Sequence, residues 1–274
     1  MFSEKSIDPT CLLKGQLFFL KIEAHKMMIL LIAICVIAIF FILYSLLPTI
    51  IMRGLSIGVF NRCDVNGKIA LTFDDGPHPL YTPRLLDLLK KYHVQATFFV
   101  VGSFAEAHPE LLKRMVSEGH EVGIHHYRHT SNWLLTPFAS RREVRKTAAV
   151  IEKITGQSPR FYRPPWGHLN VFSSWSRRPY VLVIWTHILG DWNKKVGRKR
   201  LESRIRQSIR DGAIIVLHDN DQTPGADEGA PEIMLDALQE VLKDVYDRFQ
   251  FVTVSALYDE SRGKERHLPP MQLS

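Results

Sequence analysis

The chain opens with a hydrophobic pattern unlike the rest of it. From Met27 to Leu47 it reads MMILLIAICVIAIFFILYSLL, without a charged residue. An apolar run of ~20 residues matches the ~30 Å hydrocarbon core of a bilayer, and a surface helix of a soluble protein would show a polar face. Residues 27–48 are therefore predicted to form a transmembrane helix. Lys14, Lys21 and Lys26 precede the run, and Arg53 and Arg62 follow it. The positive-inside tendency then puts segment 1–26 in the cytoplasm and the remainder outside, as a single-pass protein of the cell membrane. No small-x-small cleavage pattern follows the run, which favours an uncleaved signal anchor over a removed signal peptide.

After a short polar tether at 49–66 a different rhythm sets in. Short apolar runs at 68–73, 96–101, 121–124, 160–163, 180–186, 213–217 and 251–254 are bounded by Gly, Pro or Asp and read as strands. Between them lie segments with helical spacing, at 82–92, 108–117, 137–154, 198–209 and 231–249. Thr82 followed by Pro83 is a helix start, and Leu201, Ile205 and Ile209 recur every fourth residue. About seven strands alternating with helices imply parallel βαβ units in an α/β domain at 67–258, either an irregular barrel or an open doubly wound sheet. Residues 259–274 read as a polar tail.

Composition narrows the partners. The chain is 46% hydrophobic and 23% charged, which excludes a disordered polymer. Its cysteines are Cys11, Cys35 and Cys63, so the predicted domain has neither an internal disulfide nor a Cys-x-x-Cys metal site. An exported domain without cystines fits a bacterial source. The net charge of +7 reads as a soluble surface, or as attraction to an anionic cell envelope. No basic motif with interleaved aromatics points to nucleic acid.

The unusual polar residues follow the predicted strands. Asp74-Asp75 end the first, His125 to His129 the third, and Arg163 to Trp166 the fourth; Asp191 comes soon after the fifth, and His218-Asp219 after the sixth. In parallel α/β folds such strand ends gather on one rim, where sites form. Adjacent carboxylates point in different directions, so of Asp74 and Asp75 one can bind a metal while the other takes a proton; a turn or cap would account for only one of them. His125 and His129 would lie ~13 Å apart on an extended strand, but a helical turn would bring their Cβ atoms to ~5–6 Å, within reach of one ion. With Asp75 they make a two-His, one-carboxylate set with open positions, the arrangement of a catalytic rather than a structural centre. His126 reads as a neighbouring loop residue. Arg163 can grip a carboxylate. His218, taken alone, reads equally as a satisfied buried histidine.

Together these stretches resemble the polysaccharide deacetylases of the NodB homology domain, carbohydrate esterase family 4. The motifs that carry the resemblance are Thr72-Phe73-Asp74-Asp75-Gly76-Pro77, His125 with His129, Arg163-Pro164-Pro165-Trp166-Gly167, and Leu217-His218-Asp219. The resemblance covers roughly residues 66–257. It implies a deformed (β/α) barrel and hydrolysis of N-acetyl groups on peptidoglycan- or chitin-like sugars. It further implies one divalent ion, usually zinc with cobalt as an alternative, on Asp75, His125 and His129. Asp74 would be the general base, Arg163 its orienting partner and His218 the general acid. Trp166 would serve the oxyanion and flank the sugar, with Pro165, Asp191 and Trp192 completing the substrate and oxyanion set.

One motif departs from the pattern. The family places an Asp three residues ahead of the Asp-Trp pair, where it tunes the general-acid histidine; here that position is Ile188. His187 and Asp219 are the candidates to replace it. The departure keeps two alternatives open: a sugar-binding module with impaired catalysis, and an amidohydrolase acting on a small C–N substrate.

Overall fold

The computed structural model describes residues 9–266. A helical rod comes first: α1 (Pro9–Phe41), a π-helical turn (Ile42–Leu46) and α2 (Leu47–Gly54). Its portion Phe18–Gly54 is long and apolar enough to cross a membrane, and the side chains of its most apolar stretch are unburied.

The domain follows as β1 (Lys68–Asp74), α3 (Tyr81–Lys91), β2 (Ala96–Val100), α4 (Gly102–Ala107), α5 (Pro109–Ser117), β3 (Glu121–Ile124), α6 (Pro137–Thr155), β4 (Phe161–Tyr162), α7 (Ser173–Ser176), β5 (Val181–Leu182), β6 (His187–Ile188), α8 (Arg198–Ser208), β7 (Ile214–His218), α9 (Ala230–Val245), β8 (Gln250–Phe251) and α10 (Val254–Arg266). The strands run in the order β5-β4-β3-β2-β1-β7-β6, with β8 also paired to β1. Every pairing is parallel. This is the curved α/β half-barrel that the alternating pattern and the resemblance predicted. Phe60 pairs with Val183 beside β5, so the segment before β1 helps close the sheet's open side.

Helices cover the outer face of the sheet, and a second apolar cluster fills the inside. On β1, Ile69, Leu71 and Phe73 belong to the outer core, while Ala70 joins Phe99, Phe161, Val183 and Ile214 inside. Side chains alternate across a strand, so Ala70, Thr72 and Asp74 share the inner face. That parity delivers a carboxylate to the mouth of the barrel.

The structure departs from the sequence reading in three places. Segment 49–66, read as a short polar tether, is held against the domain at its start. Thr49 is buried: its hydroxyl lies 2.7 Å from the Leu169 carbonyl and accepts from Leu169 N at 3.0 Å and Trp133 Nε1 at 2.9 Å. Its polar side chain binds the domain rather than solvent. Residues 259–266 are not a tail. The last strand is only Gln250–Phe251, because Leu257 and Tyr258 on α10 pack on the inner cluster and Asp259 pairs with Arg160 through two bonds of 2.8 and 2.6 Å. Residues 1–8 and 267–274 lie outside the described chain. Finally, α4, α7 and β6 went unread, all being too short to show a period.

Candidate active site

Asp74 is the last residue of β1 and stands in register with His218 of β7. Arg163, just beyond β4, is fully buried, and its Nη1 donates to Thr72 Oγ1 at 2.8 Å and to Asp74 Oδ1 at 2.6 Å. These two acceptors are i and i+2 on one pleat, so a single guanidinium spans both. The same guanidinium lies 4.1 Å from the centre of the Phe99 ring. The grip on Asp74 is through one nitrogen rather than the two-pronged pairing of which arginine is capable.

Asp75 leaves the strand with φ 76°, which turns its side chain away from that of Asp74. The next residue must be glycine. A Cβ at Gly76 would lie 2.4 Å from Asp219 Oδ1. Asp75 Oδ1 instead faces two imidazoles, 3.2 Å from His125 Nε2 and 3.0 Å from His129 Nε2. Its Oδ2 accepts from Thr223 Oγ1 at 2.6 Å.

His125 and His129 do converge, but not on a helical turn. The loop after β3 is irregular, with positive φ at His126 (62°) and His129 (49°), and this folds the chain back within four residues. His126 is used structurally, as the sequence suggested: its Nδ1 lies 2.8 Å from Thr130 O and its Nε2 2.7 Å from Tyr162 Oη. Burial accordingly depresses its pKa to about 3.

The three facing atoms fit a cation. The donor atoms of Asp75, His125 and His129 all lie within 4.8 Å of one another. Asp75 Oδ1 is buried without a hydrogen-bond partner. His125 Nδ1 sits 2.8 Å from the Arg163 carbonyl, which can only accept, so its proton is on Nδ1 and the Nε2 lone pair points inward. A buried, unsatisfied carboxylate oxygen facing that lone pair is costly unless a cation lies between them. Burial pushes the Asp75 carboxyl up, but the two imidazoles outweigh it and hold the group well below its ordinary range.

His218 lines the same cleft. Asp191 Oδ1 lies 3.0 Å from its Nδ1, and Asp191 Oδ2 accepts from its backbone N–H at 2.6 Å. Asp191, placed by the resemblance in the substrate and oxyanion set, is buried and pairs with His218. Neither sequence candidate for the missing partner does this: His187 stands on β6 paired with Ile215, and Asp219 accepts from Thr82 Oγ1. Ile188 lines the cleft and is 43% exposed. Burial lowers the His218 pKa, but Asp191, with help from Asp75 and Asp74, reverses this and raises it to about 10.

Aromatic side chains frame the opening. Trp166 sits in a left-handed turn at φ 55° between buried Pro165 and Gly167, its ring 4.4 Å from that of His129. Trp192 meets His218 edge-on at 5.2 Å. The cleft holds about 380 Å³. Every predicted site residue except Pro165, Asp191 and Arg163 lines it, and these three stand immediately behind. Among the lining residues that escaped the sequence reading are Thr223, in a polar loop with no distinguishing pattern, and Arg53, in the segment read as a tether, whose guanidinium stacks 4.9 Å from the Trp185 ring.

Comparison with known proteins agrees with this geometry. The family model for polysaccharide deacetylase matches residues 61–176. The peptidoglycan-N-acetylmuramic acid deacetylase PdaC of Bacillus subtilis is 37% identical over 204 residues, which are 74% of this chain and 41% of PdaC. Its solved structure superposes with a TM-score of 0.64, covering 75% of this chain and 94% of that one. A peptidoglycan-N-acetylglucosamine deacetylase of Bacillus cereus is 31% identical over 76% of this chain and 73% of its own length. A family 4 acetyl xylan esterase of Clostridium thermocellum, solved with a cobalt ion, is 33% identical, with a TM-score of 0.63 over 70% of this chain and 91% of that one. The half-barrel, and identity of this extent to relatives of this kind, identify the chain as a member of the polysaccharide deacetylase family.

Proposed function

We propose that this protein is a membrane-anchored, metal-dependent hydrolase that removes acetyl groups from N-acetylated sugars of an extracytoplasmic glycan, peptidoglycan first among them. One observation carries this reading. A buried carboxylate facing two imidazole nitrogens shares a cleft with a second, arginine-held carboxylate and with a histidine paired to its own aspartate.

Amide hydrolysis needs a polarised carbonyl, an activated water and a proton for the departing amine. A divalent cation, zinc or cobalt, held by Asp75, His125 and His129 supplies the Lewis acidity for the first two. Asp74, oriented by Arg163, takes the proton as water attacks the acyl carbon. The Trp166 backbone N–H, fixed in its left-handed turn, is the donor assigned to the developing oxyanion. His218 has Nδ1 engaged by Asp191, so Nε2 is the nitrogen that faces the cleft and gives its proton to the leaving nitrogen. The C–N bond then breaks to leave acetate and a free amino sugar. Trp166 and Trp192 flank the sugar ring.

The lack of an Asp at position 188 does not favour an impaired sugar-binding module, because Asp191 already partners His218. The test is acetate release by the full-length protein from N-acetylglucosamine oligomers, muropeptides, acetylated xylan and small N-acetyl compounds. Release from an N-acetylated glycan, with matching appearance of free amine, is expected. Glycan binding without release would mark a sugar-binding module, and release from small compounds alone would mark an amidohydrolase; either result contradicts the proposal.

A further inference from the structure

The apolar rod does not meet the domain at a polar surface. Beside it lie Leu134, Phe138, Val171, Phe172 and Trp175, which are 79%, 77%, 50%, 44% and 39% exposed. Large apolar side chains gathered in this way mark an interaction face, whereas scattered ones do not. The patch is continuous with the rod. Val171 N–H donates to Tyr44 O at 3.1 Å, the Phe172 ring lies 6.2 Å from that of Tyr44, and Tyr44 Oη donates to Leu135 O at 3.0 Å. Phe138 and Trp175 meet edge-on at 5.6 Å.

Helix geometry fixes the depth of these contacts. Phe41, Tyr44 and Ser45 fall in the last turns of the apolar run, within about 9 Å of its outer end at 1.5 Å per residue. When the run spans a bilayer, side chains touching those residues stand at the boundary of headgroups and acyl chains. The domain's loop at 131–135 and the stretch around α7 are therefore at that level already.

Charge points the same way. On α6, next to Phe138, Arg141, Arg142, Arg145 and Lys146 line one shallow depression. Arg141 also stacks 4.6 Å from the Trp175 ring. The acid in this stretch, Glu143, is turned away and accepts from the Tyr127 and Arg128 backbone N–H groups at 3.0 and 2.8 Å. An apolar and aromatic centre rimmed by cations is the chemistry of an anionic lipid interface.

We propose that this face of the domain rests on the anionic leaflet from which its own helix emerges. Leu134, Phe138, Val171 and Phe172 insert at the headgroup boundary, and the α6 cations meet lipid phosphates. The domain is thereby held against the membrane in one orientation instead of swinging on a tether. This rests on the anchor reading made above.

The test uses the full chain with Cys11, Cys35 and Cys63 replaced by alanine, and a nitroxide on Phe138→Cys or, as control on α9, Gln239→Cys. The chain is reconstituted in vesicles of phosphatidylcholine with or without phosphatidylglycerol. In the anionic vesicles the label at 138 should lose accessibility to a water-soluble nickel relaxant and gain it to oxygen, while the label at 239 stays open to nickel. Charge reversal by Arg141→Glu with Arg145→Glu should return the 138 label to water. A chain retained by the vesicles whose 138 label is as open to nickel as its 239 label overturns the proposal alone. So does a 138 label shielded from both relaxants, which would mark a second copy of the chain on this face. A chain stripped from the vesicles by alkaline carbonate overturns the anchor reading as well. Should the cysteine-free chain not fold, brominated phosphatidylglycerol decides on the unaltered protein: quenching that is no smaller in Trp175→Phe contradicts the docking.

Discussion

Asp191 holds His218 at two points, its ring Nδ1 and its backbone N–H, and so occupies the role that the residue at 188 leaves open. The carboxylate fixes the imidazole's tautomer and favours its charged form. The sign follows from the raised pKa. Protonation of His218 favours the folded state fully below the ordinary pKa of about 6.5, and this contribution fades as pH rises toward about 10. Asp191→Asn removes the charge that opposes burial. The alkaline limb of kcat against pH should then move to lower pH, with kcat at pH 8 falling about 10²-fold or more. A cation at Asp75 also lowers the limb, so wild type and variant are compared with the same metal loading. An unmoved alkaline limb would contradict the assignment of His218 as acid.

Asp74 and Arg163 form a buried pair whose members fail differently. Asp74→Asn keeps the shape and should lower kcat about 10²- to 10⁴-fold while metal content, measured by elemental analysis, stays unchanged. Arg163→Met leaves a buried carboxylate alone and should cost about 3–5 kcal/mol of stability in urea unfolding. Near-normal turnover by Asp74→Asn would remove it as the base.

Much of this was legible in the sequence because it rests on local rules. The strand that ends in Asp74-Asp75 reads from its apolar run, and α6 from its period, its Pro137 start and its Gly156 stop. The residues that meet at the rim were found because parallel topology sends strand ends to one side. The pairings among them were not legible. Asp191 reaches His218 across 27 positions, and no local pattern tells a substrate contact from a partner of an imidazole. His125 and His129 converge through left-handed residues that helical spacing does not foresee. The 49–66 segment misled because Thr49 and Arg53 look solvated in sequence, while their partners, Leu169, Trp133 and Trp185, lie more than 80 positions away.

Thr49 joins the rod to the domain, and the join has a measurable cost of removal. Thr49→Val leaves the Leu169 N–H and the Trp133 Nε1–H without an acceptor in a buried place, worth about 1–3 kcal/mol. Hydrogen exchange of the backbone around Leu169 should quicken about 5- to 150-fold, with the β1 amides unaffected. Equal exchange in both proteins would mean that the rod does not hold this face.

Arg53 brings a cation from α2 to the rim of the cleft, stacked on Trp185. Arg53→Ala should raise KM for anionic muropeptides about 10-fold while changing kcat little, as expected when a group binds ground state and transition state alike. An equal effect on neutral N-acetylglucosamine oligomers would show that it acts by packing and not by charge.

Metal content read alongside acetate release, on one preparation of the full-length protein, bears most directly on the three-residue centre. One equivalent of a divalent ion should accompany activity; chelation should remove both, adding the ion back should restore both, and His125→Ala should lack both while remaining folded. Undiminished acetate release from metal-free protein would contradict it.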